Sequence, residues 1–213
     1  MSAGRFITLE GIEGAGKSTV ATALQVELER RKLPVLVTRE PGGTPAAEAL
    51  RAVLLERRGE LISPTAETLL MFAARAVHLD NAIRPALAAG HWVICDRFTD
   101  ASYAYQGAGR GVSESVLDVL AASVHADLWP ERTLLLDLPV TIGLARARAR
   151  SGNPDRFEAE QPEFFERVRS AYLQRAARAP QRIVVIDATV PAVQVAAAAV
   201  AALGDLWVAQ GPR

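Results

Sequence analysis

The stretch RFITLEGIEGAGKST, residues 5–19, runs an apolar segment straight into three glycines and a lysine, and its reading decides the fold. FITLE (6–10) reads as a strand. Gly11 to Ser18 then matches G-x-x-x-x-G-K-[ST], placed between that strand and a helix from about Lys17 to Arg31. Gly14 and Gly16 permit backbone angles that turn successive N–H groups inward around an anion. The helix directs its partial positive N-terminus at the same spot. Gly11, Ile12, Glu13, Gly14, Ala15 and Gly16 therefore read as a cradle for a nucleoside triphosphate. Lys17 would reach the β- and γ-phosphates, and Ser18 would offer its hydroxyl to Mg²⁺.

Working outward, strand-like and helix-like stretches alternate to the end of the chain. LPVLVTR (33–39), HWVICD (91–96), TLLLDL (133–138) and RIVVID (182–187) supply four more strands. Thr44-Pro45 is an N-cap and first-turn pair for a helix. Residues 65–89 read as helical, with a bend or break at Pro85. Further helices fall near 113–124, 140–150, 161–178 and 190–202. The strands are almost continuously apolar, as strands buried on both faces of a parallel sheet are. The expectation is an α/β, P-loop NTPase-type three-layer fold, with a five-stranded parallel sheet flanked by helices. Ligands then bind at the carboxyl ends of the strands, where Glu10, Arg39, Asp96, Arg97, Asp137 and Asp187 lie. The 213 residues fit one domain across 1–213, with SGNPDRFEAE (151–160) as its mobile segment.

Bulk properties exclude several classes. Acids and bases balance at 24 each, so no global field draws the chain to nucleic acid or an anionic membrane. Cys95 is alone, which rules out an internal disulfide. No signal-peptide pattern opens the sequence, and the apolar run 191–203 is too short to span a bilayer. A cytoplasmic protein is expected.

A metal-holding acid should end a neighbouring strand, and Asp96 after WVIC has that position. Glu10, beside the loop, is a second candidate for metal or acceptor. N-K-x-D and D-x-x-G are both absent, which argues against a GTPase. Arg39, Arg75 and Arg97 could pair a second phosphate through guanidinium forks. Phe72 and Arg75 stand at i and i+3 on one helix face, a ring and a planar donor suited to a nucleobase. Tyr103, Tyr105 and Gln106 add groups that could read a base and sugar.

Together GIEGAGKS (11–18), TREPGGT (38–44), MFAARAVH (71–78), DRFTDASYAYQGAGRG (96–111) and the arginine-rich run from RARAR to DRFE (146–158) resemble the bacterial thymidylate kinases over nearly the whole chain. The resemblance implies a nucleoside monophosphate kinase-like fold and transfer of the ATP γ-phosphate to dTMP, giving dTDP and ADP on the way to dTTP. It implies Mg²⁺ and a homodimer packed through helices. It places Arg39, Arg97 and Glu10 around the dTMP phosphate and metal. Phe72 would lie on thymine, Arg75 and Gln106 at its edge, Tyr105 under the sugar, and Ser102 as a lesser base contact. Many family members carry the stacking phenylalanine four residues before the arginine, where this chain has Met71, so Met71 and Phe72 both qualify. Glu13, with the arginines between 146 and 156, is similar to the subgroup whose catalytic arginine comes from a lid, here about 148–160. Arg148 and Arg150 are the catalytic candidates beside Lys17, Arg97 and Glu10; Arg146 is assigned to ATP, and Arg156 lies further out. Two rivals remain: a kinase for dUMP, dCMP or a nucleoside, and a partition-type ATPase acting through a partner.

Overall fold

The computed structural model describes residues 4–56, 61–150 and 156–208. Five strands, β1 (Phe6–Glu10), β2 (Val35–Arg39), β3 (Trp92–Asp96), β4 (Arg132–Asp137) and β5 (Ile183–Asp187), form one sheet. Every pairing is parallel and the order is β2-β3-β1-β4-β5. β1 is central and buried throughout. The edge strands β2 and β5 are only partly buried, Val37 and Val185 being 39% and 46% exposed. Their single neighbour explains the departure from full burial expected of all five. Register brings Leu9 and Arg39 level with Asp96, and Asp137 level with Asp187, so the carboxyl ends form one rim.

Side chains on a strand alternate faces, and the core divides accordingly. Ile7, Leu9, Trp92 and Ile94 join Val20, Leu24 and Leu28 of α1 (Lys17–Arg30) and Val195 and Ala199 of α9 (Ala192–Ala201). Phe6, Val93 and Cys95 face the other way, against Leu79, Ile83 and Phe98. That gives the three layers.

Helix starts obey local chemistry. The Thr44 hydroxyl accepts the Ala47 N–H at 3.4 Å at the head of α2 (Pro45–Leu55), as the sequence predicts. Ser63 does the same for α3 (Pro64–His78). The expected interruption before Pro85 is a π-helical segment, Leu79–Ile83, leading into α4 (Arg84–Ala88). A proline without an N–H cannot continue the i to i−4 ladder, and a widened turn accommodates it.

Residues 99–109, read above only as a binding stretch, form the short α5 (Thr99–Ser102) and a π-helical segment, Tyr103–Gly109. α6 (Glu114–His125), α7 (Val140–Arg150), α8 (Pro162–Arg178) and α10 (Gly204–Val208) complete the described helices.

Candidate active site

The loop between β1 and α1 is shaped by its glycines. Gly14 has φ +72°, and a Cβ there would meet the Gly143 carbonyl oxygen of α7 at 2.0 Å, so the helix presses the loop from one side. Gly16 caps α1 at φ 91°, and no acid stands in the first helical turn to cancel its positive end. Lys17 is buried and donates to the Gly11 and Ile12 carbonyls at 3.0 Å each. Burial, with Arg97 nearby, lowers its ammonium pKa to about 8.

β3 delivers Arg97 opposite this loop, at φ +70°, a backbone state that is costly for a side-chain-bearing residue. Its N–H is held by the Leu9 carbonyl at 2.9 Å. Its guanidinium donates to the Gly11 carbonyl (3.2 Å), the Glu13 carboxylate (2.6 Å) and the Tyr105 hydroxyl (3.0 Å). Tyr105 in turn donates to both Glu13 oxygens. Burial alone would raise the Glu13 carboxyl, but Arg97 and Lys17 pull it below its ordinary value. Glu13, assigned from sequence to ATP, thus sits in the cavity with Arg97 and Tyr105.

That cavity, about 200 Å³, opens along the carboxyl rim, and Lys17, Arg39, Arg75, Asp96, Arg97 and Gln106 are among its walls. Arg39 is 55% exposed and bridges to Glu48 at 3.1 Å. Arg75, by contrast, is locked inside. Nε binds Glu40 at 2.7 Å, and Nη2 binds the Phe98 carbonyl and the Ser102 hydroxyl at 3.2 and 3.0 Å. Its Nη1 is buried with no hydrogen-bond partner among the described residues. An unpaired buried N–H is expensive, and this one belongs to a residue lining an anion-sized cavity.

Two sequence expectations change. Phe72 does not line the cavity; Met71 does. The Phe72 ring packs against Tyr103, Leu117 and Ala121, and the Arg75 guanidinium lies over it at 4.6 Å, so it supports the arginine. Glu10 is not at the loop surface. Strand alternation sends it to the face of Phe6 and Thr8, where it is fully buried and accepts from the Phe98 N–H at 2.8 Å and the Tyr172 hydroxyl at 2.7 Å. Burial, reinforced by Asp100, raises its carboxyl pKa to about 8. Held by Phe98 and Tyr172, Glu10 does not line the cavity. Asp137 and Asp187 are also structural: the first pairs with Arg169 (2.8 Å) and the second caps Thr189.

Ser18 is exposed in the first turn of α1, and Asp96 lines the cavity. Arg146 donates to the Ala188 carbonyl at 2.8 Å, and Arg148 is exposed on α7. The Arg150 side chain and residues 151–155 of the expected lid lie outside the described residues. The far end of that lid is anchored: Arg156 donates to the Leu54 and Leu55 carbonyls and pairs with Glu67 at 2.7 Å, and Phe157 and Glu158 line the cavity.

The sequence reading missed two buried networks. Asp100 is clamped by Arg175 (2.7 Å) and Arg182 (2.6 Å), tying α5 to α8. Glu67 gathers Gln106, Arg110 and Arg156. In sequence Glu67 is an ordinary first-turn acid, and only tertiary contact distinguishes it.

A phosphate loop ending the central strand of this sheet, opening into an arginine-lined cavity, defines a P-loop nucleotide kinase of the nucleoside monophosphate kinase type. Comparisons then specify the family. The thymidylate kinase family profile matches residues 9–199. The chain is 53% identical to thymidylate kinase of Alkalilimnicola ehrlichii over 90% of its length and 88% of the relative's. It is 52% identical to that of Nitrosomonas europaea, over 97% and 95%. The crystal structure of thymidylate kinase from Ehrlichia chaffeensis superposes with a TM-score of 0.78 at 31% identity, covering 94% of this chain and 99% of that one. The chain belongs to the thymidylate kinase family.

Proposed function

We propose that the cavity brings ATP and dTMP together and passes the γ-phosphoryl group between them, giving ADP and dTDP. One observation carries this reading: a single guanidinium, Arg97, touches the phosphate loop at Gly11 and lines the acceptor cavity with Tyr105. A group so placed can neutralise charge on both sides of the transfer.

Lys17 and the N-terminus of α1 hold the donor phosphates. A dTMP phosphate oxygen forms a bond to the γ-phosphorus as the bridging bond to the β-phosphate breaks. The acceptor is already anionic, so no strong base is needed, and positioning with charge neutralisation carries the catalysis. Arg39 and Arg97 hold the acceptor phosphate. The spare N–H of Arg75 and the amide of Gln106 meet the base edge, Met71 lies on the base, Ser102 steadies Arg75, and Tyr105 lies under the sugar. Arg148 and Arg150, from a lid of about 148–160, supply the catalytic guanidinium, with Arg146 toward ATP.

The Ser18 hydroxyl and Asp96 carboxylate are hard oxygen donors of the kind Mg²⁺ takes, and they would hold it. When bound it would offset phosphate charge. A homodimer and a cytoplasmic location belong to the same proposal. Leu69 on α3 and Val116 and Val119 on the neighbouring α6, 53%, 46% and 65% exposed, are apolar side chains that a second copy would cover. Among the described residues no helix is long and apolar enough to cross a membrane.

The test is product identification. Incubated with Mg²⁺, ATP and dTMP, the protein should give equal ADP and dTDP by ³¹P NMR, and Lys17→Ala should give neither while keeping its helical circular dichroism. ADP without dTDP would instead favour an ATPase.

A further inference from the structure

Each of the two proposed base-edge readers is tied down through a buried glutamate. Arg75 uses Nε to bind Glu40 and keeps Nη1 spare. Gln106, 1% exposed, directs its amide nitrogen at Glu67 Oε1, 2.8 Å away. Glu67 is itself 1% exposed, and its carboxylate also receives Arg110 at 3.2 Å and Arg156 at 2.7 Å. A carboxylate facing two guanidiniums can only accept hydrogen bonds. An amide beside it must therefore present its nitrogen, because turning over would set oxygen against oxygen.

We infer that Glu67 is a positioning residue for base selection: it fixes the polarity of the Gln106 amide so that the cavity reads a donor at N3 of the base. The inference rests on the proposed function above. With nitrogen committed to Glu67, the amide oxygen is the polar atom Gln106 keeps for the cavity it lines, and it accepts no hydrogen bond among the described residues. Among the groups lining the cavity, the Arg75 guanidinium can only donate, and the Gln106 amide oxygen can only accept. Thymine and uracil present the complement, a carbonyl at C4 and an N–H at N3. Cytosine presents the reverse, an amine at C4 and an unprotonated N3. The carboxylate selects the base without touching it.

The experiment measures kcat/KM for dTMP, dUMP and dCMP in the wild type, Glu67→Gln, Glu67→Asp and Gln106→Leu. Glutamine at 67 can show Gln106 either a donor or an acceptor, so Gln106 becomes free to turn over. The preference for dTMP over dCMP should then fall about tenfold, the scale of one mismatched buried hydrogen bond. The dTMP to dUMP ratio should stay at its wild-type value, since both bases share that edge. Glu67→Asp, which keeps a carboxylate, should retain discrimination.

A folded Glu67→Gln with wild-type discrimination against dCMP overturns the inference. So does an equal loss for all three acceptors, which marks a purely structural role. If Gln106→Leu loses discrimination in the same series, the base-reading role of Gln106 survives that failure. A wild type indifferent to dTMP would instead defeat the proposed function itself. Should Glu67→Gln fail to fold, wild-type binding of N3-methyl-dTMP decides. Affinity about tenfold below dTMP supports an acceptor at that point, and equal affinity overturns it.

Discussion

Glu10→Gln separates a buried structural carboxyl from a metal ligand. Glu10 is fully buried, with a carboxyl pKa pushed from an ordinary 4.5 to about 8. In that interval the folded protein keeps a proton that the unfolded chain has released. Its stabilising effect is therefore complete below about pH 4.5 and is lost as pH rises through about 8. Each pH unit is worth ~1.4 kcal/mol, so up to ~5 kcal/mol is withdrawn across the interval. Glutamine is isosteric and always neutral; its oxygen can accept from Phe98 and its nitrogen can donate to the Tyr172 oxygen. Urea unfolding followed by tryptophan fluorescence, at half-unit steps from pH 5 to 9, should show the variant gaining on the wild type with rising pH, by several kcal/mol at the alkaline end. Turnover at pH 7 should stay within about twofold, since nothing reaching the cavity changes. Parallel stability profiles would refute the protonated carboxyl. A variant of unchanged stability but hundredfold lower activity would return Glu10 to the metal site.

Three further outcomes follow from the geometry. Gly14→Ala places a Cβ 2.0 Å from a backbone oxygen of α7 at φ +72°; no rotamer relieves that, so the loop shifts and kcat/KM should drop about 100-fold or more, whereas unchanged kinetics would mean the helix does not brace the loop. Lys17 discharges in the free protein as pH rises through about 8, and bound phosphates favour its charged form, so ATP binding should take up a proton near pH 8. Calorimetry in buffers of different ionisation enthalpy should detect that uptake, absent at pH 6 and in Lys17→Ala. Asp100→Ala strands two arginines and should cost about 3–5 kcal/mol in denaturant unfolding; a loss under 1 kcal/mol would show that the clamp contributes little.

Most of the architecture was legible because its signals are local. Apolar runs of five residues, Thr44-Pro45 and the glycine loop each encode their own geometry, and all five strands fall within two residues of their expected bounds. The 99–109 helical stretch escaped because its glycines and aromatics read only as binding groups, and its packing against α8 is a contact distant in sequence. Glu10 was legible in part: the strand parity it shares with Phe6 and Thr8 gives its face of the sheet, while its enclosure by Phe98 and Tyr172 is tertiary. Met71 and Phe72 could not be ranked, because a helix turns 100° per residue and either could face the cavity until α6 fixed which side is core. The pairing of Gln106 with Glu67 spans 39 residues and two elements. No spacing rule reaches that far.

On the proposed function, donor and acceptor nucleotides occupy one continuous cavity across Arg97. Isothermal titration with adenosine and thymidine joined 5′ to 5′ through five phosphates tests it most directly. One molecule should bind per chain, more tightly than ATP or dTMP alone, and should exclude both. Binding no tighter than ATP, with dTMP still able to enter alongside, would contradict the account.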